Sequence, residues 1–289
     1  MMQGEKFVDV NGIRTRYFEG GDGEPLFLVH GGTIGQFDNV DCAENWELNW
    51  DGFTRNYHVF AYDKLGQGYT DNPRTDDEWT MQATVRHAYE FLETLGLRGV
   101  HLVGHSRGGY VVTRLALEHP ELVRTTTIID SSTTAPGANL SRGPLLAGAP
   151  KPLLSRESLR WVADAFSASS MVTESWLDAR ERIAKTEKNQ AAVSTMKRLA
   201  ESGYLAKLDE QKEETLAWIK EGRLKSPTLL VWGFNDPSAL VSGGYALFEI
   251  VASGTPRSQL HVFNRAGHYS YREHPGDFVR VVTSFIQGS

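Results

Sequence analysis

Apolar residues gather in short runs rather than at one sustained period, at 14–18, 25–30, 57–62, 100–104, 125–130, 227–233 and 259–264. Gly, Pro, Asn or Asp bounds each run, and most runs are apolar at both odd and even positions. That is the pattern of parallel strands covered on both faces. Between the runs the spacing changes to three and four. Residues 80–95 put Val85, Tyr89, Phe91 and Leu92 on one side, and 109–119, 244–251 and 275–285 carry similar helical patterns. Strand then helix, repeated, predicts an α/β fold with a mostly parallel sheet flanked by helices. Two runs at 6–10 and 14–18 flank Asn11-Gly12, a strong short-range hairpin signal, so the sheet is expected to open with an antiparallel ribbon.

The alternation stops from about residue 135 to 224. Candidate helices follow near 155–166, 173–185, 189–202 and 213–221, with Gly222 where a C-terminal cap would stand. Two units are expected: a core from 1–134 and 225–289, and a helical lid from 135–224. The lid would lie over the carboxyl edge of the sheet, where open α/β sheets carry their sites.

Composition excludes several classes. With 40% hydrophobic and 23% charged residues, the 289-residue chain can build a sizeable core. A net charge of −6 with scattered Lys and Arg gives no electrostatic footprint for nucleic acid or an anionic membrane. The single cysteine, Cys42, has no disulfide or metal-ligand partner. No signal-peptide pattern opens the chain, and no run of about 18 apolar residues occurs. These features suggest a cytoplasmic protein without metal or cofactor. Its partner would be a small-molecule substrate, not nucleic acid or membrane, and a homo-oligomer is compatible with the sequence.

Candidate chemistry centres on Gly104-His105-Ser106-Arg107-Gly108, which follows a predicted strand and opens a helix, the context of a nucleophile elbow. The glycines allow a turn tight enough to project the Ser106 hydroxyl beyond the sheet. A serine hydroxyl needs a base. His268, in Asn264-Arg265-Ala266-Gly267-His268, is the one of nine histidines that follows the nucleophile on a loop at a strand end. Gly267 is expected to let that loop bend. Asp236, after the preceding strand, would fix the imidazole and complete the order Ser, Asp, His; Asp130, ending the strand after the nucleophile helix, is a rival acid. His30-Gly31-Gly32 suits an oxyanion hole, with backbone N–H groups at Gly31 and Gly32 and a further donor at Arg107.

These motifs resemble the α/β-hydrolase superfamily over essentially the full length, including Asp63-Lys64-Leu65-Gly66-Gln67-Gly68, which is similar to its strand-four loop. The stretch 260–269, continuing through Arg272-Glu273-His274, resembles more narrowly the meta-cleavage product hydrolases, which break a carbon–carbon bond in 2-hydroxy-6-oxohexa-2,4-dienoates from aromatic degradation. The resemblance implies that a lid arginine holds the substrate carboxylate and puts it at Arg180. Other expected substrate contacts are His105, Trp176 and Tyr269, while Trp161, Phe166, Trp176 and Leu177 are candidates for the apolar wall of the lid. Two features depart from that family. His105 stands where asparagine is common, and the loop after Gly32 is longer, with Asn39, Asp41, Glu44, Trp46 and Asn49. A carboxylesterase or lactonase of the same fold is the alternative, and a non-catalytic small-molecule binding protein is the alternative from another class. Epoxide hydrolases and haloalkane dehalogenases are disfavoured, because they need a carboxylate where Ser106 stands.

Overall fold

The computed structural model describes residues 2–137, 140, 143–199, 204–255 and 257–289. Strands β1 (Glu5–Val10) and β2 (Ile13–Gly20) form the predicted ribbon, with Asn11 at φ 50° and Gly12 at φ 83° in the turn. They are followed by β3 (Glu24–Val29), β4 (Tyr57–Tyr62), β5 (Val100–His105), β6 (Val123–Ile129), β7 (Thr228–Gly233) and β8 (Ser258–Phe263). The sheet order is β1-β2-β4-β3-β5-β6-β7-β8, antiparallel through β2·β4 and parallel from β4 to β8.

Side chains on successive strand residues point to opposite faces, and each face meets its own helices. On one side Leu26, Leu28, Val103 and Val231 pack against α1 (Glu47–Thr54) and α11 (Pro275–Gln287) through Trp50, Phe53, Phe278 and Val282. On the other, Phe27, Val29 and Leu102 meet α2 (Met81–Thr94) and α3 (Arg107–Glu118) through Phe91, Val112 and Leu115. Farther along the sheet, Leu230 and Trp232 pack on Leu247 and Val251 of α9 (Val241–Gly254).

Between β6 and β7 run α4 (Gly143–Leu146), α5 (Arg156–Ala165), α6 (Glu174–Ala184), α7 (Glu187–Leu199) and α8 (Tyr204–Lys220). Helix α8 begins well before residue 213, where the sequence pattern placed it. Residues 200–202, the predicted end of the third helix, lie outside the described residues. Gly222 caps α8 as expected: it has φ 71°, its N–H reaches Ile219 O, and that of Arg223 reaches Trp218 O. Lys212 of α8 donates from Nζ to the carbonyls of Ser132 and Gly137, tying the helix to the loop after β6.

The sequence pattern missed α1, because its face is short and is broken by Asn49, Asp51 and Gly52. Tertiary contacts supply what periodicity lacks: Asn49 is buried and donates from Nδ2 to Tyr271 O at 2.8 Å, joining α1 to α10 (Ser270–Glu273). No helix among the described residues is long and apolar enough to cross a membrane.

Candidate active site

Ser106 joins β5 to α3 with φ 53° and ψ −121°, a conformation that costs a non-glycine residue of order 1–3 kcal/mol and persists only where surroundings enforce it. The enforcement is visible. Ser106 N–H donates to Ile129 O at 2.8 Å, and the Ser106 carbonyl accepts from Gly109 N at 2.8 Å. A Cβ on Gly108 would lie 2.3 Å from the carbonyl oxygen of Val29 and 2.5 Å from that of His30. The first turn of α3 therefore lies against the end of β3, which brings the Gly31-Gly32 turn beside the serine.

His268 is held at three points. Its Nδ1 donates to Asp236 Oδ2 at 2.7 Å, its backbone N–H donates to Phe166 O at 2.7 Å, and its carbonyl accepts from His105 Nε2 at 2.7 Å. The nitrogen left for the pocket is Nε2. Asp236 is itself fixed after β7, where Oδ1 accepts from Ser238 N, Ser238 Oγ and Ala239 N at 2.7–2.9 Å. Ser106 and His268 line the same pocket, but no hydrogen bond between the Ser106 hydroxyl and the imidazole is among those of the described residues. The requirement at Gly267 also differs from expectation. Residues 166–168 pack onto it, and a Cβ there would lie 2.4 Å from Phe166 O.

Asp130 does not meet His268. It adopts φ 46° and is buried, accepting from Gly233 N at 2.7 Å and from Ser270 Oγ at 2.6 Å. Burial, and next the charge of Asp236, push its carboxyl well above the ordinary range. It braces the two loops that present Asp236 and His268.

The predicted oxyanion loop sits on a buried polar network. His30 Nδ1 donates to Gly31 O at 2.9 Å, and its Nε2 accepts from Lys64 N at 3.1 Å. Burial, aided by the charge of Lys64, lowers the His30 imidazole to about 3, so the ring is neutral. Lys64 is buried, and its Nζ donates to Gly32 O at 2.8 Å. Burial brings that ammonium down to about 7. The strand-four motif thus supports the glycine turn, a role that its sequence did not disclose.

Gly32, Arg107, His105, Tyr269 and Phe166 line the pocket, joined by Gln36, Asn39, Asp41 and Ser238, which sequence reasoning did not assign to it. The signal for Asn39 and Asp41 was the polar loop after Gly32. Trp161, Trp176, Leu177 and Arg180 do not line this pocket, and Gly31 lies beside Ser106 without lining it. Trp176 stands behind Tyr269, with ring centroids 5.9 Å apart, and donates from Nε1 to Asn45 Oδ1 at 2.8 Å. His105 is buried, which holds its imidazole well below the ordinary value and hence neutral; it holds the His268 loop as well as facing the pocket. Cys42 is buried, and burial pushes its thiol well up, away from the reactive thiolate.

Arg180 is fully buried. Its guanidinium lies over the Trp176 ring at 4.1 Å, and Nε donates to Val40 O at 2.6 Å. Nη1 and Nη2 have no hydrogen-bond partner among the described residues. Arg272 stacks over the same ring at 4.1 Å, but its Nη1 and Nη2 are taken up by Asn45 O, Glu47 Oε1 and Met171 O.

A serine forced into an elbow at a helix N-terminus, beside a histidine–carboxylate pair at the carboxyl edge of a parallel sheet, defines a class, and the sequence agrees. The chain belongs to the α/β-hydrolase fold family, whose model matches residues 24–275. Its relatives narrow this to a hydrolase similar to enzymes of ring-fission metabolism. It is 28% identical over 285 residues, 98% of this chain and 90% of the relative, to the 2-hydroxy-6-oxo-6-(2'-aminophenyl)hexa-2,4-dienoic acid hydrolase of Metapseudomonas resinovorans. To the 2-hydroxymuconate semialdehyde hydrolase of Pseudomonas putida it is 26% identical over 276 residues, 95% of this chain and 91% of the relative. A solved structure of a meta-cleavage product hydrolase from Pseudomonas fluorescens IP01 superposes with a TM-score of 0.78 at 25% identity, covering 98% of this chain and 97% of that one.

Proposed function

We propose that the protein is a cytoplasmic serine hydrolase that breaks a carbon–carbon bond in a 2-hydroxy-6-oxohexa-2,4-dienoate-type product of aromatic ring fission. Ser106 is the nucleophile, His268 the base and Asp236 the acid that fixes the imidazole. In this reading the helices between residues 135 and 224 form a lid and hold the substrate carboxylate at Arg180. The observation that carries it is the buried Arg180 guanidinium. Two terminal nitrogens without partners among the described residues, on a charge that burial makes costly, suit a ligand carboxylate that accepts from both.

Ketonisation moves the C2 hydroxyl proton to C5 and leaves a saturated carbon at C5, next to the C6 carbonyl. His268 Nε2 then takes the Ser106 proton as Oγ bonds to C6. The oxyanion is met by N–H groups of the Gly31-Gly32 turn and of Arg107, each such donor being worth about 10²–10³ in turnover. Collapse of the adduct breaks C5–C6, with the electron pair delocalised onto the 2-oxo group and a proton returned from His268. The acyl-serine is then hydrolysed by water activated by the same histidine.

A carboxylester or lactone hydrolase is the second reading, favoured by Asp41, whose negative charge faces the pocket that must receive an anion. A panel of coloured ring-fission dienolates and p-nitrophenyl esters, followed by absorbance, tests the proposal. The expected result is a kcat/KM for dienolates well above that for esters; esters alone being hydrolysed would overturn it.

A further inference from the structure

Glu273 lies in the stretch Arg272-Glu273-His274, which the reaction just described does not use. It ends α10, the short helix after His268, and both of its carboxylate oxygens are occupied. Oε1 accepts from Gly267 N at 2.7 Å, in the loop that presents His268. Oε2 accepts from Ala168 N and Ser169 N, each at 2.8 Å, and from Ser169 Oγ at 3.1 Å. One side chain therefore joins the loop of the base to the turn between α5 and α6, 105 residues away in the chain at Ala168. Hydrogen bonds to a charged acceptor are roughly twice as strong as neutral ones, so this junction is a firm one.

The same two segments meet at further points. His268 N donates to Phe166 O at 2.7 Å, and the Phe166 ring packs edge-on against the imidazole with centroids 6.2 Å apart. A Cβ on Gly267 would lie 2.8 Å from Ser167 Cα and 3.0 Å from Ala168 N, so the two backbones lie directly against each other. The place of the His268 backbone thus depends on the turn, and the place of the turn depends on Glu273. Helix α6, by contrast, has anchors of its own. Trp176 Nε1 donates to Asn45 Oδ1 and Arg180 Nε to Val40 O, while Arg272 Nη2 holds Met171 O just before the helix. None of these bonds involves Glu273, so the residues proposed to grip the substrate keep their support without it.

We propose that Glu273 is a positioning residue that locks the α5–α6 turn to the His268 loop, so that the base is aligned with Ser106 only while this turn is docked. Two accepting oxygens are needed, one for each segment. The inference rests on His268 as the base, and it holds for a dienolate and for an ester alike, because both reactions use the imidazole.

The test compares kcat and KM of wild type, Glu273→Gln and Glu273→Ala on a 2-hydroxy-6-oxohexa-2,4-dienoate and on p-nitrophenyl acetate. Glutamine has nearly the same shape but one accepting oxygen, because its amide nitrogen only donates. It can hold the loop or the turn, not both. On whichever substrate is turned over, Glu273→Ala should lower kcat by about a hundredfold, the cost of displacing a catalytic group by about 1 Å, with KM little changed. Glu273→Gln should fall between alanine and wild type. A residue that merely fills space or adds stability would lower Tm yet leave kcat near wild type, and glutamine would restore it fully; that result, or a loss confined to KM, overturns the inference. Should Glu273→Ala fail to fold, kcat of Glu273→Gln alone decides. His268→Ala, assayed beside them, tells two failures apart. Full turnover in His268→Ala removes the base and the inference with it, whereas an inactive His268→Ala beside a fully active Glu273→Gln removes the inference alone.

Discussion

Replacing Arg180 with glutamine removes the cation proposed to hold the substrate while leaving Ser106, His268 and Asp236 in place. A charge-assisted pair of this kind contributes about 1.5–3 kcal/mol, which corresponds to a loss of about tenfold to a hundredfold in kcat/KM for the dienolate. The structure adds two effects. Loss of the Nε bond to Val40 O and of the stacking on Trp176 lowers stability, so thermal unfolding should shift down. Asp41 also loses its main attraction, so its carboxyl, which burial alone would raise, titrates higher than in wild type. Arg180→Lys separates charge from shape, because an ammonium keeps the charge but not the planar fork; it should fall between wild type and glutamine. The assay is kcat/KM for a dienolate and for a neutral p-nitrophenyl ester on each variant at one pH. The dienolate should suffer selectively. Equal losses on both substrates, or none on either, would refute the assignment and make Arg180 a structural residue.

Asp236→Asn should lower kcat by about 10⁴ through loss of the tautomer-fixing acid, whereas Asp130→Asn should leave most of the activity; a reversed order in steady-state kinetics would make Asp130 the acid. Gly108→Ala should prevent folding or separate β3 from α3, since the new methyl meets two backbone carbonyls; a soluble, active variant with unchanged Tm would contradict the close approach. Lys64, whose ammonium burial brings down to about 7 in the folded protein while the unfolded chain keeps the ordinary lysine value, is a group for which the unfolded chain binds the extra proton. Its burial penalty is therefore full below pH 7 and fades towards the ordinary lysine range, so stability should rise with pH across that window. Lys64→Met should flatten the rise in Tm measured against pH, and an unchanged slope would remove Lys64 as its source.

The parts of this fold legible in the sequence are those fixed by local rules. Two-sided apolar runs gave the parallel strands, Asn11-Gly12 the hairpin, and Gly222 the end of α8. The loops bearing Ser106, Asp236 and His268 could be read because each follows a strand at the same edge of the sheet. What escaped depends on closure in three dimensions. Lys64 in sequence is an ordinary charged loop residue, and only burial under the glycine turn makes it a support. Nothing local indicates that His105 reaches 163 residues along the chain to the His268 carbonyl. Gly267 was noticed for its flexibility, yet its requirement comes from residues 166–168, which the chain brings there through the helical segment. Helix α1 was hidden because its stability comes from contacts with α10 and α11 rather than from its own periodicity.

The most direct test of the central claim is product analysis of a 2-hydroxy-6-oxohexa-2,4-dienoate incubated with wild type and with Ser106→Ala protein. Wild type should bleach the substrate and release equal amounts of a carboxylic acid and a 2-hydroxypenta-2,4-dienoate. Ser106→Ala should bind the substrate and release neither. Turnover undiminished in Ser106→Ala, or a wild-type enzyme that hydrolyses esters but leaves the dienolate intact, would contradict a serine-dependent carbon–carbon hydrolase.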